Sequence, residues 1–108
     1  MKIGQHMGNP VDAAICETKD GSKEFVAVEL EVAEGESAGE KITAELWPND
    51  AGWDVVRSEL KARFKWDGQV GSDAKGRVTF VGLKGPVPMW VYEKTGQDGK
   101  TRVRVALT

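Results

Sequence analysis

The sequence has few of the residues on which most catalytic and metal sites depend. Among its 108 residues there is one cysteine, Cys16, and one histidine, His6. A single cysteine excludes an internal disulfide bond and leaves too few soft ligands for a zinc site. His6 lies in an N-terminal segment that we expect to be mobile, so a Ser-His or Cys-His catalytic pair is not indicated. We therefore expect no metal, no cofactor and no enzymatic activity.

Long apolar runs and nucleotide-binding motifs are missing as well. No stretch approaches the roughly 18 apolar residues of a membrane helix. The N-terminus has Lys2 but no apolar stretch behind it, so a secretory signal is not visible. Neither a GKS/T motif nor a GxGxxG motif is present, which argues against a phosphate-binding loop. We expect a cytoplasmic protein without membrane contact.

The composition is that of one small globular domain with an uneven distribution of charge. A hydrophobic content of 40% and a charged content of 30% fit a single domain over residues 1–108, with residues 1–9 mobile. Residues 1–54 hold four lysines against twelve carboxylates, a net charge of −8, whereas residues 55–108 hold eleven cations against five carboxylates, a net of +6. Such asymmetry suggests contact with a polyanion, but the two halves could equally neutralise each other across the fold.

Alternating apolar residues predict three strands in the first half of the chain. The first two span residues 11–32 and turn at Asp20-Gly21, a dipeptide that favours a two-residue type I′ turn. The third strand, at residues 41–47, points Ile42, Ala44 and Leu46 inward. The register that keeps apolar residues on one face places these residues opposite each other: Ile15 and Val26, Ala13 and Val28, Val11 and Leu30.

After Pro48 the apolar period changes to that of a helix. Trp53, Val56, Leu60 and Phe64 form one stripe, in which Trp53 is interpreted as a core anchor. Asn49 or Asp50 is the expected N-cap, and the helix should end near residues 66–68. Residues 68–76 are glycine-bearing and predict a loop, followed by a short strand at 77–81.

The last two strands, at residues 89–94 and Thr101–Leu107, predict a closing hairpin with the three-residue turn Gln97-Asp98-Gly99. In the register that buries most apolar area, one face of the hairpin carries two rings and three cations: Trp90, Tyr92, Lys94, Arg102 and Arg104. Rings that stack on bases, beside cations that neutralise phosphates, are typical of single-stranded nucleic-acid sites. The alternative is that these rings pack beneath the helix or a neighbouring strand.

The order of three strands, one helix and a final strand pair is that of the OB-fold, a five-stranded barrel with its helix between strands three and four. In that fold the ligand lies on strands two and three and on the loops after strands one and four. Phe25 and Trp47 would then be stacking platforms. The two loops would bring Lys19, Lys23 and Lys100 to the groove.

The sequence also resembles a family of small phage-encoded proteins with OB-type folds, related to single-stranded-DNA-binding proteins of phage replication and recombination modules. Four short pieces, taken in order, carry the resemblance. They are Phe-Val-Ala-Val-Glu-Leu at 25–30 with Gly35, Ala-Gly-Glu-Lys-Ile at 38–42, the helix exit at 60–68 with Lys-Trp-Asp-Gly, and Gly-Lys-Thr-Arg-Val-Arg-Val at 99–105. The chain departs from the pattern at residues 71–88. The resemblance implies single-stranded DNA binding without enzymatic activity.

We therefore expect a single-stranded DNA-binding protein of a phage replication or recombination module. With an isoelectric point near 5.4, binding would rest on local basic patches and should be salt-sensitive. The alternative is a non-enzymatic phage protein-interaction module, such as an inhibitor of a host factor or a DNA-mimicking acidic surface. The sequence leaves open a homo-oligomer, a host or phage replication protein as partner, the choice between DNA and RNA, and the site size.

Overall fold

The computed structural model describes residues 2–50 and 52–107 and is mostly β with one helix, as the sequence predicts. The elements in chain order are β1 (Gly4–Glu17), β2 (Glu24–Val32), β3 (Lys41–Leu46), α1 (Asp54–Phe64), β4 (Val70–Ser72), β5 (Val78–Phe80), β6 (Val87–Thr95) and β7 (Thr101–Leu107).

All seven strands belong to one antiparallel sheet that is not closed. The order along its main path is β3-β2-β1-β5-β4, and β6 pairs with β1 and carries β7 on its other edge. Within the described residues β3 pairs only with β2, and β7 pairs only with β6. The sheet therefore has two strands more than the five expected from the sequence, and it is open between β3 and β7.

Strand β1 changes partners at Gly8. Residues 4–8 pair with β6, and Gly8 lies opposite both Val87 of β6 and Val32 of β2. A Cβ atom on Gly8 would lie 2.9 Å from Met89 Sδ and 3.3 Å from Leu30 Cβ, so the absence of a side chain lets the neighbouring strands approach. Residues 4–9 lie within β1, and β6 supplies residues 4–8 with a ladder partner that the local sequence does not reveal.

The β1–β2 register follows the prediction up to a bulge. Ile15 lies opposite Val26 and Ala13 opposite Val28, as expected, but the register shifts between Pro10 and Asp12. Pro10 thereby takes the place opposite Leu30 that was expected for Val11, whose side chain is left 49% exposed. Proline has no N–H to give to the ladder, and bulges are one place where strands accept it.

The turn between β1 and β2 is longer than predicted. Thr18 and Lys23 close it with a backbone hydrogen bond from the Thr18 N–H to the Lys23 carbonyl at 2.9 Å, leaving residues 19–22 as a four-residue loop. Because this loop has the same centre as the expected two-residue turn at Asp20-Gly21, the register of the flanking strands is unchanged.

Helix α1 buries Val56, Leu60 and Phe64 as predicted, but both of its ends differ from the prediction. The N-cap is Trp53 rather than Asn49 or Asp50, and it makes no side-chain capping bond. Trp53 also packs against the core, as expected of an anchor. The helix ends at Lys65, which adopts the left-handed conformation at φ 53° and donates its backbone N–H to the Leu60 carbonyl.

The short strand predicted at residues 77–81 is present as β5, and it forms a hairpin with β4, whose three residues lie within the loop predicted at 68–76. Val70 lies opposite Phe80, and Ala14 of β1 lies opposite Thr79, which attaches the hairpin to the sheet. Trp66 anchors it from below: its indole N–H donates to the Gln69 carbonyl at 2.7 Å, and its ring meets Phe80 edge to face at 5.2 Å. The pairing with Ala14 comes from a distant part of the chain, so glycine content alone suggested a loop at residues 68–76.

The closing hairpin has the predicted register throughout. Its pairs run from Met89 opposite Leu107 to Thr95 opposite Thr101, and Gly99 occupies the left-handed position at φ 78°. The core lies between this hairpin, helix α1 and the inner faces of β1 to β3. Across the described residues, α1 is too short and too polar to cross a membrane.

Candidate nucleic-acid interface

The outer face of the β6–β7 hairpin is open to solvent. The predicted pairs place Trp90 opposite Ala106, Tyr92 opposite Arg104 and Lys94 opposite Arg102. Trp90 is 47% exposed, Tyr92 is half-buried, and the three cations are exposed. Trp90 is therefore not packed beneath the helix or a neighbouring strand, which was the alternative interpretation of this face.

Part of this face lines a cleft of about 530 Å³. Tyr92, Lys94, Arg102 and Arg104 line it from the hairpin, and Glu45 lines it from β3. Within the described part of the chain, neither Lys94 nor Arg104 has an ion-pair or hydrogen-bond partner for its side chain. Both cations are therefore available to a ligand.

The third cation of the face is already engaged. Arg102 Nη2 lies 2.8 Å from Asp98 Oδ2 within the closing turn. The backbone N–H of Lys100 and then the Arg102 guanidinium hold the pKa of Asp98 below its ordinary value. Arg102 therefore offers less free charge to a phosphate than Lys94 or Arg104 does.

Phe25 and Trp47 form a second aromatic site on the outer faces of β2 and β3. The β2–β3 register places Val26 opposite Leu46, so the two rings follow as the next pair toward the ends of these strands. Their centroids are 4.5 Å apart and their planes are inclined by 23°, a stacked arrangement. Trp47 keeps 44% of its surface exposed. The two predicted platforms are thus one stacked unit with an accessible ring.

The two aromatic sites approach each other across the opening between β3 and β7. Trp47 and Ala106 line a common cleft of about 400 Å³ at this opening, and Ala106 is the ladder partner of Trp90. Glu45 lines both this cleft and the basic one. Strand β7 and the opening beside it therefore lie between Trp90 on β6 and Trp47, the residue that follows β3.

The three predicted loop lysines do not join the clefts. Lys19 and Lys23 are exposed in the β1–β2 turn, Lys100 is exposed in the β6–β7 turn, and the described residues that line the two clefts do not include them. Asp20 organises the β1–β2 turn by accepting hydrogen bonds from the Thr18 hydroxyl and from Ser22. These bonds, that of Thr18 above all, lower the pKa of Asp20 to about 2.

Arg77 and Glu45 are site residues that the sequence did not indicate. Arg77 Nε lies 2.7 Å from Asp73 Oδ2, and its Nη1 donates to Cys16 Sγ at 3.3 Å. Because Cys16 is the ladder partner of Phe25, Arg77 lies on the β1 side of the stacked pair, with its charge already paired with that of Asp73. Its position depends on β5, which residues 68–76 gave little reason to place beside β1.

The described part of the chain has no candidate metal site. Among the described residues, no three His, Cys, Asp or Glu side chains are grouped so as to hold a metal ion.

No protein-family model, curated protein or solved structure matches this chain.

Proposed function

We propose that this protein binds single-stranded DNA through the outer face of its closing hairpin, as a member of a phage replication or recombination module. The observation that carries the proposal is the exposure of Trp90 beside Tyr92, Lys94 and Arg104 on one face. Exposed rings cost little to cover with a base, and unpaired cations gain from a phosphate.

The mixture of rings and cations favours a single strand over a duplex. Bases of a single strand can stack on side-chain rings, each stacking contact contributing about 1 to 3 kcal/mol, whereas a duplex keeps its bases stacked on each other. The accessible Trp47 ring, stacked on Phe25, provides a second platform beyond the opening next to β7. A strand that crossed this opening could use both aromatic sites.

The proposal includes an OB-type architecture for the sheet. In support, α1 follows the third strand, β1 pairs with both β2 and β6, and β3 lies beside β7 across a shared cleft. The hairpin of β4 and β5 is then an insertion between the helix and the fourth barrel strand. On this interpretation the barrel is left open between β3 and β7, which do not pair with each other.

The test is a titration of the protein with oligo-dT, followed by tryptophan fluorescence. We expect quenching at low salt, weaker binding as salt rises, and a further loss in Trp90→Ala or Arg104→Ala. Lys61→Ala removes an exposed cation from α1 and serves as the control. No quenching at low salt with any single-stranded oligonucleotide would overturn the proposal.

A second candidate function rests on the acidic end of β2 and the loop that follows it. Glu29 and Glu31 occupy the outer face of β2, and residues 33–40 add three exposed glutamates. Such a surface could engage a basic host or phage protein. A complex recovered from a pull-down that resists nuclease treatment and is lost on charge reversal of Glu31 would favour this function.

A further inference from the structure

Glu45 is an acidic residue in a cleft whose other charged groups are cations. It lies on the outer face of β3, opposite Ala27 of β2, and its side chain is exposed. Across the cleft are Tyr92, Lys94 and Arg104. Within the described residues Glu45 has neither an ion-pair partner nor a side-chain hydrogen bond, so its two carboxylate oxygens are free to accept.

A free carboxylate at this position is unfavourable for binding phosphate alone. It repels the backbone that Lys94 and Arg104 attract, and it offsets part of their charge. The unfavourable contribution is reversed if the carboxylate meets a group that donates hydrogen bonds. In a single strand such groups are found on the Watson–Crick edges of the bases.

The four bases differ in what they present to two acceptor oxygens. Guanine offers two adjacent donors, N1–H and the N2 amino group, which match a carboxylate in a bidentate arrangement. Thymine presents N3–H between two carbonyl acceptors, which face the carboxylate unfavourably. Adenine and cytosine each present an amino donor next to a ring-nitrogen acceptor. Guanine is therefore the base that Glu45 suits best.

Rings on either side of Glu45 could hold the base in place. Tyr92 lines the same cleft from the hairpin, and Trp47, which directly follows β3, lines the neighbouring cleft together with Glu45. A base stacked on Tyr92 would lie in the basic cleft with Glu45 on the opposite wall, and a base stacked on Trp47 would lie in the neighbouring cleft, which Glu45 also lines. We propose that Glu45 makes this site selective for guanine in single-stranded DNA, an inference that rests on the proposed function.

The test compares three probes by fluorescence titration: oligo-dT, the same oligonucleotide with isolated dG residues, and one with isolated deoxyinosines in their place. Isolated guanines avoid four-stranded structures. Inosine keeps N1–H but lacks the N2 amino group. We expect the dG probe to bind at least about fivefold more tightly than oligo-dT, the lower end of what one bidentate contact contributes, with the inosine probe between them.

The decisive variant is Glu45→Gln, which replaces one acceptor oxygen with an amide donor. We expect it to bring the ratio of dG to dT affinity close to one while the affinity for oligo-dT rises, because the carboxylate no longer repels the phosphates. Glu31→Gln makes the same charge change on the outer face of β2, away from the cleft, and should keep the ratio.

The outcomes separate this inference from the proposed function. Equal affinity of the native protein for the dG and dT probes would overturn the guanine preference while leaving DNA binding in place. An equal gain for all probes in Glu45→Gln would show a merely repulsive charge and would also overturn it. Absence of binding to every oligonucleotide would overturn the proposed function, and the inference with it.

Discussion

Phe25 and Trp47 stack on each other with centroids 4.5 Å apart, on adjacent strands and on the face of the sheet turned away from the core. A pair in this position contributes to stability and, under the proposed function, also to the binding surface. The ring of Phe25 fixes the orientation of Trp47, and an oriented ring loses less freedom when a base covers it.

The stack should be measurable as a coupling between the two residues. We expect a double-mutant cycle of Phe25→Ala and Trp47→Ala, measured by chemical denaturation, to give a coupling of about 0.5 to 1.5 kcal/mol. Val103 is exposed on β7 and serves as the control partner. Phe25→Ala and Val103→Ala should be additive, and additivity of the Phe25 and Trp47 changes would contradict the role of the stack.

The salt dependence of binding should identify the cations that contact phosphate. Each phosphate contact with a single strand contributes about 0.7 to the slope of log affinity against log salt concentration. We expect Lys94→Ala and Arg104→Ala each to flatten the slope of an oligo-dT titration by about that amount. Arg102→Ala should have a smaller effect because Arg102 is already paired with Asp98. Slopes unchanged from that of the native protein would exclude these phosphate contacts.

Lys65 should be a position at which glycine is favoured. The left-handed backbone of Lys65, at φ 53°, costs an L-residue about 1 to 2 kcal/mol in steric strain. Glycine does not incur this strain, but ordering its more flexible backbone costs about 0.5 to 1 kcal/mol in conformational entropy. We expect Lys65→Gly to raise the free energy of unfolding by about 0.5 to 1 kcal/mol. Lys61→Gly, inside the helix, should lower it by about 1 kcal/mol. Similar losses at both positions would contradict the assigned C-cap.

The β1–β2 turn should respond to acid through Asp20. Its folded-state pKa of about 2 lies below the ordinary value of 3.8, so the stabilisation is present above pH 3.8 and is lost as pH falls through about 2. An NMR titration of the Asp20 carboxyl should show this midpoint. Thr18→Val should move it up, because the Thr18 hydroxyl makes the largest contribution, whereas Thr18→Ser should not. A midpoint unchanged in Thr18→Val would contradict this account.

The closing hairpin was predictable because two independent signals agreed. The turn residues placed Gly99 where a positive φ is needed, and the alternation of apolar residues selected one register. Both are local properties of about 20 residues of sequence. The face that carries Trp90, Tyr92 and Arg104 follows directly from that register.

Three of the missed features depend on residues far away in the chain. The early start of β1 requires β6, and the attachment of β5 requires Ala14. The bulge at Val11 can be recognised only when Pro10, which has no N–H to donate, is paired with Leu30 of β2. The role of Glu45 likewise needs β3 to lie beside the closing hairpin. The end of the helix was misjudged for a different reason, since Lys65 takes a conformation that usually indicates glycine.

The change of partner at Gly8 has a consequence for the order in which the chain folds. Strands β1 to β3 can pair as a local meander from Gly8 onward, but residues 4–8 find their β6 partners only at residues 87–91, about 80 positions later. Pairing over such a separation is slow, because the intervening chain must lose its freedom before any contact is gained. Until β6 is in place, the first part of β1 offers an unprotected edge to other chains, and misassembly at high concentration should begin there.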